Sequence, residues 1–211
     1  MADPFAKELR KAEKTLSKLD DKLARLIKRA GPCRIEKATH FEPFESLLSS
    51  IAHQQLNGKA AETILGRLKA KLGDGLGGWP TPQKILSARM PSLRACGFSR
   101  NKGLAIKDLA AKTLDGTVPT AKALHTLHEE EIVERLIAVR GIGRWTVEMM
   151  LMFRLGRLDV LPVDDFGVRK GFSLLYGKKE MVKPKELLAL GEAWRPYRSV
   201  ASWYMWRVLD V

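Results

Sequence analysis

The sequence predicts an all-α fold, and three observations carry that expectation. No segment alternates apolar and polar residues with period two, as a half-buried strand would. Apolar residues recur instead at helical spacing, as in Leu16, Leu19, Leu23, Leu26 and Ile27, and again in Ile132, Val133, Leu136 and Ile137. Several of these segments open on Ser, Thr or Pro and close on Gly, which is how helices are punctuated.

Taken in order, Pro4 to Arg29 reads as one amphipathic helix stopped by Gly31-Pro32; its Lys and Arg residues could touch DNA, but a solvated face is the plainer reading. A loop through Thr39 leads to a helix from about Phe44 to Ala52. His53 to Gly58 interrupts the pattern, and Lys59 to Leu72 restarts it through Ile64, Leu65 and Leu68. Gly73 to Pro82 is a loop, and Thr81 caps a helix opened by Pro82. Pro91 to Ala95 is a short helical piece. Ser99 caps Arg100 to Leu114, which Asp115-Gly116 ends; Ser99, Arg100, Asn101 and Lys102 stand at a helix start where a backbone phosphate can bind. Ala121 to Leu124 is a short turn before Glu131 to Ala138. Arg144 to Arg154 follows, with Trp145, Met149, Met152 and Phe153 expected on one side. Phe166 to Tyr176 is next, then Lys185 to Trp194 behind Pro184. Pro196 breaks that helix, and Arg198 to Leu209 closes the chain with Val200, Trp203, Tyr204 and Val208.

The 211 residues suffice for one or two small domains, and the 45% hydrophobic content allows a real core. A formal charge of +13 favours a polyanionic partner, most commonly nucleic acid. No apolar run approaches a membrane span, and Met1 to Lys14 lacks the apolar core of a signal peptide, so an intracellular protein that is not secreted is expected. Cys33 and Cys96 are too few for a disulfide framework or a four-cysteine iron–sulfur cluster. His40, His53, His125 and His128 form no convincing ligand set.

The stretch from Leu136 to Phe172 organises the rest. Gly141-Ile142-Gly143 joins two helical patterns by a turn that side chains would crowd. Such a turn leaves backbone N–H groups at the start of the second helix, and they suit an anion such as a phosphodiester oxygen. On these residues alone an ordinary helical hairpin with a Gly stop serves equally well. Asp165 lies twenty residues after Trp145, at the start of the next helix, where an N-cap supplied by Asp164 or Asp165 is the plain explanation.

Taken together, the hairpin and the carboxylate at that distance resemble the helix-hairpin-helix DNA glycosylase superfamily. The resemblance is to its alkylation-repair branch, the 3-methyladenine DNA glycosylase II group. Ser50-Ile51-Ala52-His53-Gln54-Gln55-Leu56-Asn57-Gly58 and the C-terminal run from Trp194 to Trp206 extend the likeness over nearly the whole chain from about Leu23. It implies a single glycosylase domain, 1–211, of two helical subdomains flanking a DNA-binding cleft. The helix-hairpin-helix motif would occupy about 131–154 and the catalytic loop 161–167. It further implies Asp165 as the catalytic carboxylate and Trp145 and Trp206 as pocket tryptophans, with Trp206 stacking on the flipped base. DNA contacts would come from Gln54, Gln55, Leu56, Gly141, Ile142, Gly143, Arg144 and Thr146, with Gln55 or Leu56 filling the gap in the base stack. The backbone carbonyls of Val139 and Ile142 would hold a monovalent cation; no other cofactor is expected. The implied partner is double-stranded DNA, bound by a monomer, with no membrane. His53 and Asn57 depart from the Gly and Ser common at those places.

In relatives that also cut the strand, a lysine stands where this chain has Trp145. That lysine attacks the sugar and forms a Schiff base. The expectation is therefore a monofunctional glycosylase acting on cationic 3-methyladenine and 7-methylguanine. Excision of mismatched or deaminated bases, and a non-enzymatic DNA-binding module, are the alternatives.

Overall fold

The computed structural model describes residues 3–210. It contains thirteen α-helices and one 3-10 turn, and no strand occurs among the described residues, as the patterning predicts. The chain divides into two compact units, one of Met1–Thr39 with Glu148–Val211, the other His40–Val147.

In the first unit, α1 (Pro4–Leu16) and α2 (Asp21–Ala30) replace the single helix expected over Pro4 to Arg29. Asp20 makes the break. It is extended at φ −160°, and its Oδ1 accepts the Leu23 amide at 2.8 Å, an N-cap that starts a new helix. The leucine stripe masked this break because two helices in succession carry the same spacing as one. Leu16, Leu23 and Leu26 are buried, whereas Leu19, in the break, is 43% exposed. The unit also holds α11 (Phe166–Tyr176), α12 (Pro184–Leu190), the 3-10 turn Gly191–Trp194 and α13 (Arg198–Arg207). The expected helix over Lys185 to Trp194 thus tightens at Gly191.

Helix α13 is the centre of this unit and is buried from Arg198 through Met205. It packs against α1, α2 and α11. A helix enclosed all round must satisfy its polar groups internally. Ser199 Oγ donates to the Arg157 carbonyl at 2.7 Å and accepts the Val160 amide at 2.9 Å. Tyr204 Oη donates to the Gly31 carbonyl at 2.9 Å. Trp203 and Tyr204 are core residues, as expected. A Cβ at Gly171 of α11 would meet the Met205 carbonyl of α13, so glycine there sets how closely the two helices approach.

The second unit contains α3 (Pro43–His53), α4 (Gly58–Leu72), α5 (Pro82–Ser87), α6 (Met90–Cys96), α7 (Arg100–Leu114), α8 (Ala121–Thr126) and α9 (Glu129–Ile137). Helix α7 packs against α3, α5 and α6, burying Ala105, Ile106, Leu109 and Ala110. Thr81 and Ser99 cap α5 and α7 as predicted, accepting the Lys84 and Lys102 amides. Helix α10 (Arg144–Phe153) carries the chain from this unit to the other. Its buried residues include Val147, Met150, Leu151 and Met152, while Trp145 is 50% exposed. The expected stripe through Trp145 and Met152 therefore splits. Apolar residues lie on most sides of this helix, so periodicity alone could not say which row faces inward.

Candidate active site and nucleic-acid interface

The hairpin is built in the second unit. Helix α9 buries Ile132, Val133 and Leu136 and ends at a tight turn. The Val139 amide donates to the Leu136 carbonyl at 3.1 Å, and the Ile142 amide to the Val139 carbonyl at 3.0 Å. Gly141 adopts φ +80°, a left-handed conformation that explains its glycine. Gly143 differs: a Cβ there would meet no atom within 4 Å, so the protein's own packing does not require glycine. Helix α10 starts at the next residue, and the first amides of any helix lack intrahelical acceptors. The buried side chains of Val139 and Ile142 fix the turn from beneath.

Two distant residues clamp this turn. Asp108 of α7 accepts the Arg140 amide on Oδ2 at 2.7 Å, and the same oxygen pairs with Lys112 at 2.7 Å. Partial burial works to raise the Asp108 pKa. The Arg140 amide and Lys112 outweigh it and hold the carboxyl below its ordinary value. Gln54 Nε2 donates to the Gly141 carbonyl at 2.7 Å. Gln54, expected among the DNA contacts, therefore has its side-chain amide engaged within the protein. Nothing in the local pattern marks Asp108, which lies 32 residues from Arg140.

The loop after α3 presents Gln55 and Leu56 outward, both exposed. Gln55 sits at φ +57°, a region that non-glycine residues seldom occupy. The loop is pinned on both sides. Lys102 Nζ donates to the Ala52 and Gln54 carbonyls at 2.8 and 2.6 Å, capping α3, while Asn57 Oδ1 accepts the Ala60 amide at 2.9 Å. Desolvation in this position lowers the Lys102 pKa. The sequence suggested Lys102 for a phosphate; its ammonium group instead closes a helix end. Arg144 is in a fork-to-fork pair with Glu130, with N–O distances from 2.6 to 3.2 Å. Thr146 donates its amide to the Gly143 carbonyl at 3.0 Å.

The carboxylate site lies in the first unit. A turn through residues 161–165, closed by the Asp165 amide on the Pro162 carbonyl at 3.0 Å, delivers Asp165 to the N-cap of α11. Its Oδ1 accepts the Val168 amide at 2.7 Å and the Trp206 indole N–H at 2.8 Å. The N-cap reading of Asp165 is thus correct and does not exhaust its role, because a second donor from α13 fixes the same oxygen. Gly167 makes room for that donor: a Cβ there would come within 2.6 Å of Trp206 Cδ1. Phe153 lies against the indole, with ring centroids 6.0 Å apart. Asp164, beside it, is exposed. Phe166 is 66% exposed directly after Asp165; the sequence placed Phe153 and Phe166 in their helices without assigning either to the site. No group of His, Cys, Asp or Glu among the described residues could hold a metal ion. No helix among them is long and apolar enough to cross a membrane.

Comparison with known proteins gives these features a family. Residues 48–196 match the HhH-GPD superfamily of base excision DNA repair proteins. DNA-3-methyladenine glycosylase 1 of Schizosaccharomyces pombe is 40% identical over 200 residues, which cover 94% of this chain and 87% of that protein. A solved structure of an S. pombe 3-methyladenine DNA glycosylase in complex with abasic DNA superposes with a TM-score of 0.79 at 39% identity, covering 95% of this chain and 97% of that one. A DNA-3-methyladenine glycosidase from Bacillus halodurans superposes with a TM-score of 0.82 at 35% identity, covering 98% and 89%. The chain belongs to the HhH-GPD superfamily of base excision DNA repair proteins, in the branch of the DNA-3-methyladenine glycosylases.

Proposed function

We propose that this protein extrudes alkylated purines from duplex DNA and hydrolyses the bond from sugar to base, leaving an intact abasic site. The observation that carries this reading is Asp165, whose Oδ1 is fixed by the Val168 amide and the Trp206 indole at the start of α11. As the base departs, positive charge builds on the sugar. A carboxylate already held in place stabilises that charge without reorganising, and it can orient the attacking water. Water forms the new bond to the sugar carbon and gives up a proton to Asp165 or to solvent, while the electron pair of the broken bond leaves with the base and neutralises its positive charge.

In this account Trp206 has two functions. Its N–H holds Asp165, and its face stacks on the flipped base. A cationic purine suits such faces, a contact worth about 0.5–2 kcal/mol. The charge also makes 3-methyladenine and 7-methylguanine good leaving groups, so no general acid is required. Trp145 cannot form a Schiff base, so the enzyme is monofunctional. The Gly141-Ile142-Gly143 turn with Arg144 and Thr146 receives a phosphate, and Gln55 or Leu56 fills the gap in the stack. The Val139 carbonyl accepts the Ile142 amide and keeps a second lone pair. Together with the Ile142 carbonyl it would hold a monovalent cation, which would supply positive charge for a phosphate. The protein works as an intracellular monomer.

Competition among duplexes carrying single lesions tests the substrate class. Cationic N3- and N7-alkylpurines should be released, with ethenoadenine slow and uracil and 8-oxoguanine inert. Uracil released faster than 3-methyladenine would overturn the proposal in favour of a mismatch or deaminated-base enzyme.

A further inference from the structure

The outward face of α1 is strongly cationic. Lys7, Arg10, Lys11, Lys14 and Lys18 are all exposed there and, with Thr15, line a shallow groove of ≈ 450 Å³. A row of surface lysines is ordinarily a solvated face balanced by acids nearby. Here three acids of the same segment, Glu8, Glu13 and Asp20, each engage a tyrosine hydroxyl. Glu8 accepts the Tyr197 hydroxyl at 2.8 Å. Glu13 accepts the Cys33 amide at 2.6 Å and the Tyr204 hydroxyl at 3.2 Å. Asp20 caps α2 with one oxygen and accepts the Tyr176 hydroxyl with the other at 2.7 Å. Buried Tyr197 and Tyr204 and half-buried Tyr176 thus occupy acids that would otherwise face only the ridge. Among the described residues, Lys11 alone of the five cations makes an ion pair, with Glu8 at 3.1 Å.

We propose that this ridge is an accessory site for the DNA backbone, binding phosphates irrespective of lesion and adding to whatever the hairpin contributes. Its choice of polyanion rests on the DNA-repair function proposed above. The dimensions suit a duplex. At about 1.5 Å per residue, Lys7 to Lys18 spans roughly 16 Å. One strand presents a phosphate every 3.4 Å or so of axis, about five along that length. The chemistry is that of non-specific backbone contact, with lysine point charges predominating and no base-reading fork. A protein partner fits less well, because the groove lining offers no aromatic or aliphatic anchor of the kind that dominates protein interfaces. A membrane surface fits less well again, because the apolar face of α1, Leu9, Ala12 and Leu16, is buried within the fold.

The test compares two quadruple variants with the same change of net charge. One carries Lys7→Gln, Arg10→Gln, Lys14→Gln and Lys18→Gln. The other carries Lys22→Gln, Arg25→Gln, Lys28→Gln and Arg29→Gln on the exposed face of α2. Thermal melts first establish that both are folded. Binding to an undamaged duplex is then followed by anisotropy between about 50 and 200 mM salt. The α1 variant should lose roughly 2–4 from the log–log salt slope, near 0.9 for each phosphate contact removed, while the α2 variant loses well under half of that. Single-turnover excision at saturating enzyme should be unchanged in both. Equal slopes in the two variants would overturn the proposal, since net charge alone would then explain the effect. Loss of poly-glutamate binding with duplex binding intact would overturn it in favour of an acidic protein partner. Because the slopes are measured on undamaged DNA, a wild-type protein that excises no alkylated base would refute the proposed function and leave this comparison standing.

Discussion

Replacing Trp206 by Phe separates the two functions assigned to that residue. Phenylalanine keeps an aromatic face for stacking and loses the N–H that reaches Asp165 Oδ1 at 2.8 Å. A hydrogen bond to a charged group is worth about 1.5–3 kcal/mol. To the extent that this bond strengthens in the transition state, its loss slows single-turnover excision, by up to roughly 10- to 150-fold at about 1.4 kcal/mol per decade. Affinity for a lesion-containing duplex should change little, because the stacking face remains. Gly167→Ala approaches the same contact from the other side: it keeps both side chains but puts a Cβ 2.6 Å from the indole, which must move. Both variants should lose chemistry more than binding. Full excision rates in Trp206→Phe would refute the positioning role, and an equal loss of affinity and rate would make Trp206 a stacking residue only.

Three further outcomes follow from the hairpin and its surroundings. Asp108→Asn should destabilise the protein by about 1–2 kcal/mol near neutral pH through the Arg140 amide and Lys112. Because folding lowers the Asp108 pKa, that contribution is fully present above its ordinary value of 3.8 and disappears as pH falls through the folded value; a gap between variant and wild type that persisted at acid pH would contradict this. Glu130→Gln frees Arg144 from an exposed pair worth roughly 0.2–1 kcal/mol, so duplex binding should tighten about 1.4- to 5-fold beyond the charge-matched control Glu134→Gln, and no difference between the two would remove Arg144 from the phosphate contacts. Borohydride should trap no covalent complex with DNA, whereas a trapped adduct would identify an attacking amine, with Lys170 the first to examine.

Much of this architecture was legible because it is local. The Phe166–Tyr176 helix has the bounds that Asp165 before it and Gly177 after it dictate, and Thr81 and Ser99 cap the helices that they precede. The Asp20 break was missed because helical spacing continues across it. The clamps on the hairpin were missed for another reason. Gln54 reaches Gly141 across 87 residues and Lys102 reaches Gln54 across 48, and no local propensity encodes such pairs. The donor from Trp206 to Asp165 crosses 41 residues and is of the same kind. Resemblance named both residues as part of one site without revealing that an indole N–H links them.

Whether Asp165 drives release of cationic alkylpurines is decided by the bases freed from methylated duplex DNA. Wild-type protein and Asp165→Asn are incubated with that DNA, and the released bases are identified and timed by mass spectrometry. The account predicts 3-methyladenine and 7-methylguanine from the wild type, with both rates lower by roughly 10²–10³ in the variant, the scale for removing one electrostatic stabiliser. Equal release by the two proteins, or no alkylated base from the wild type, would contradict it.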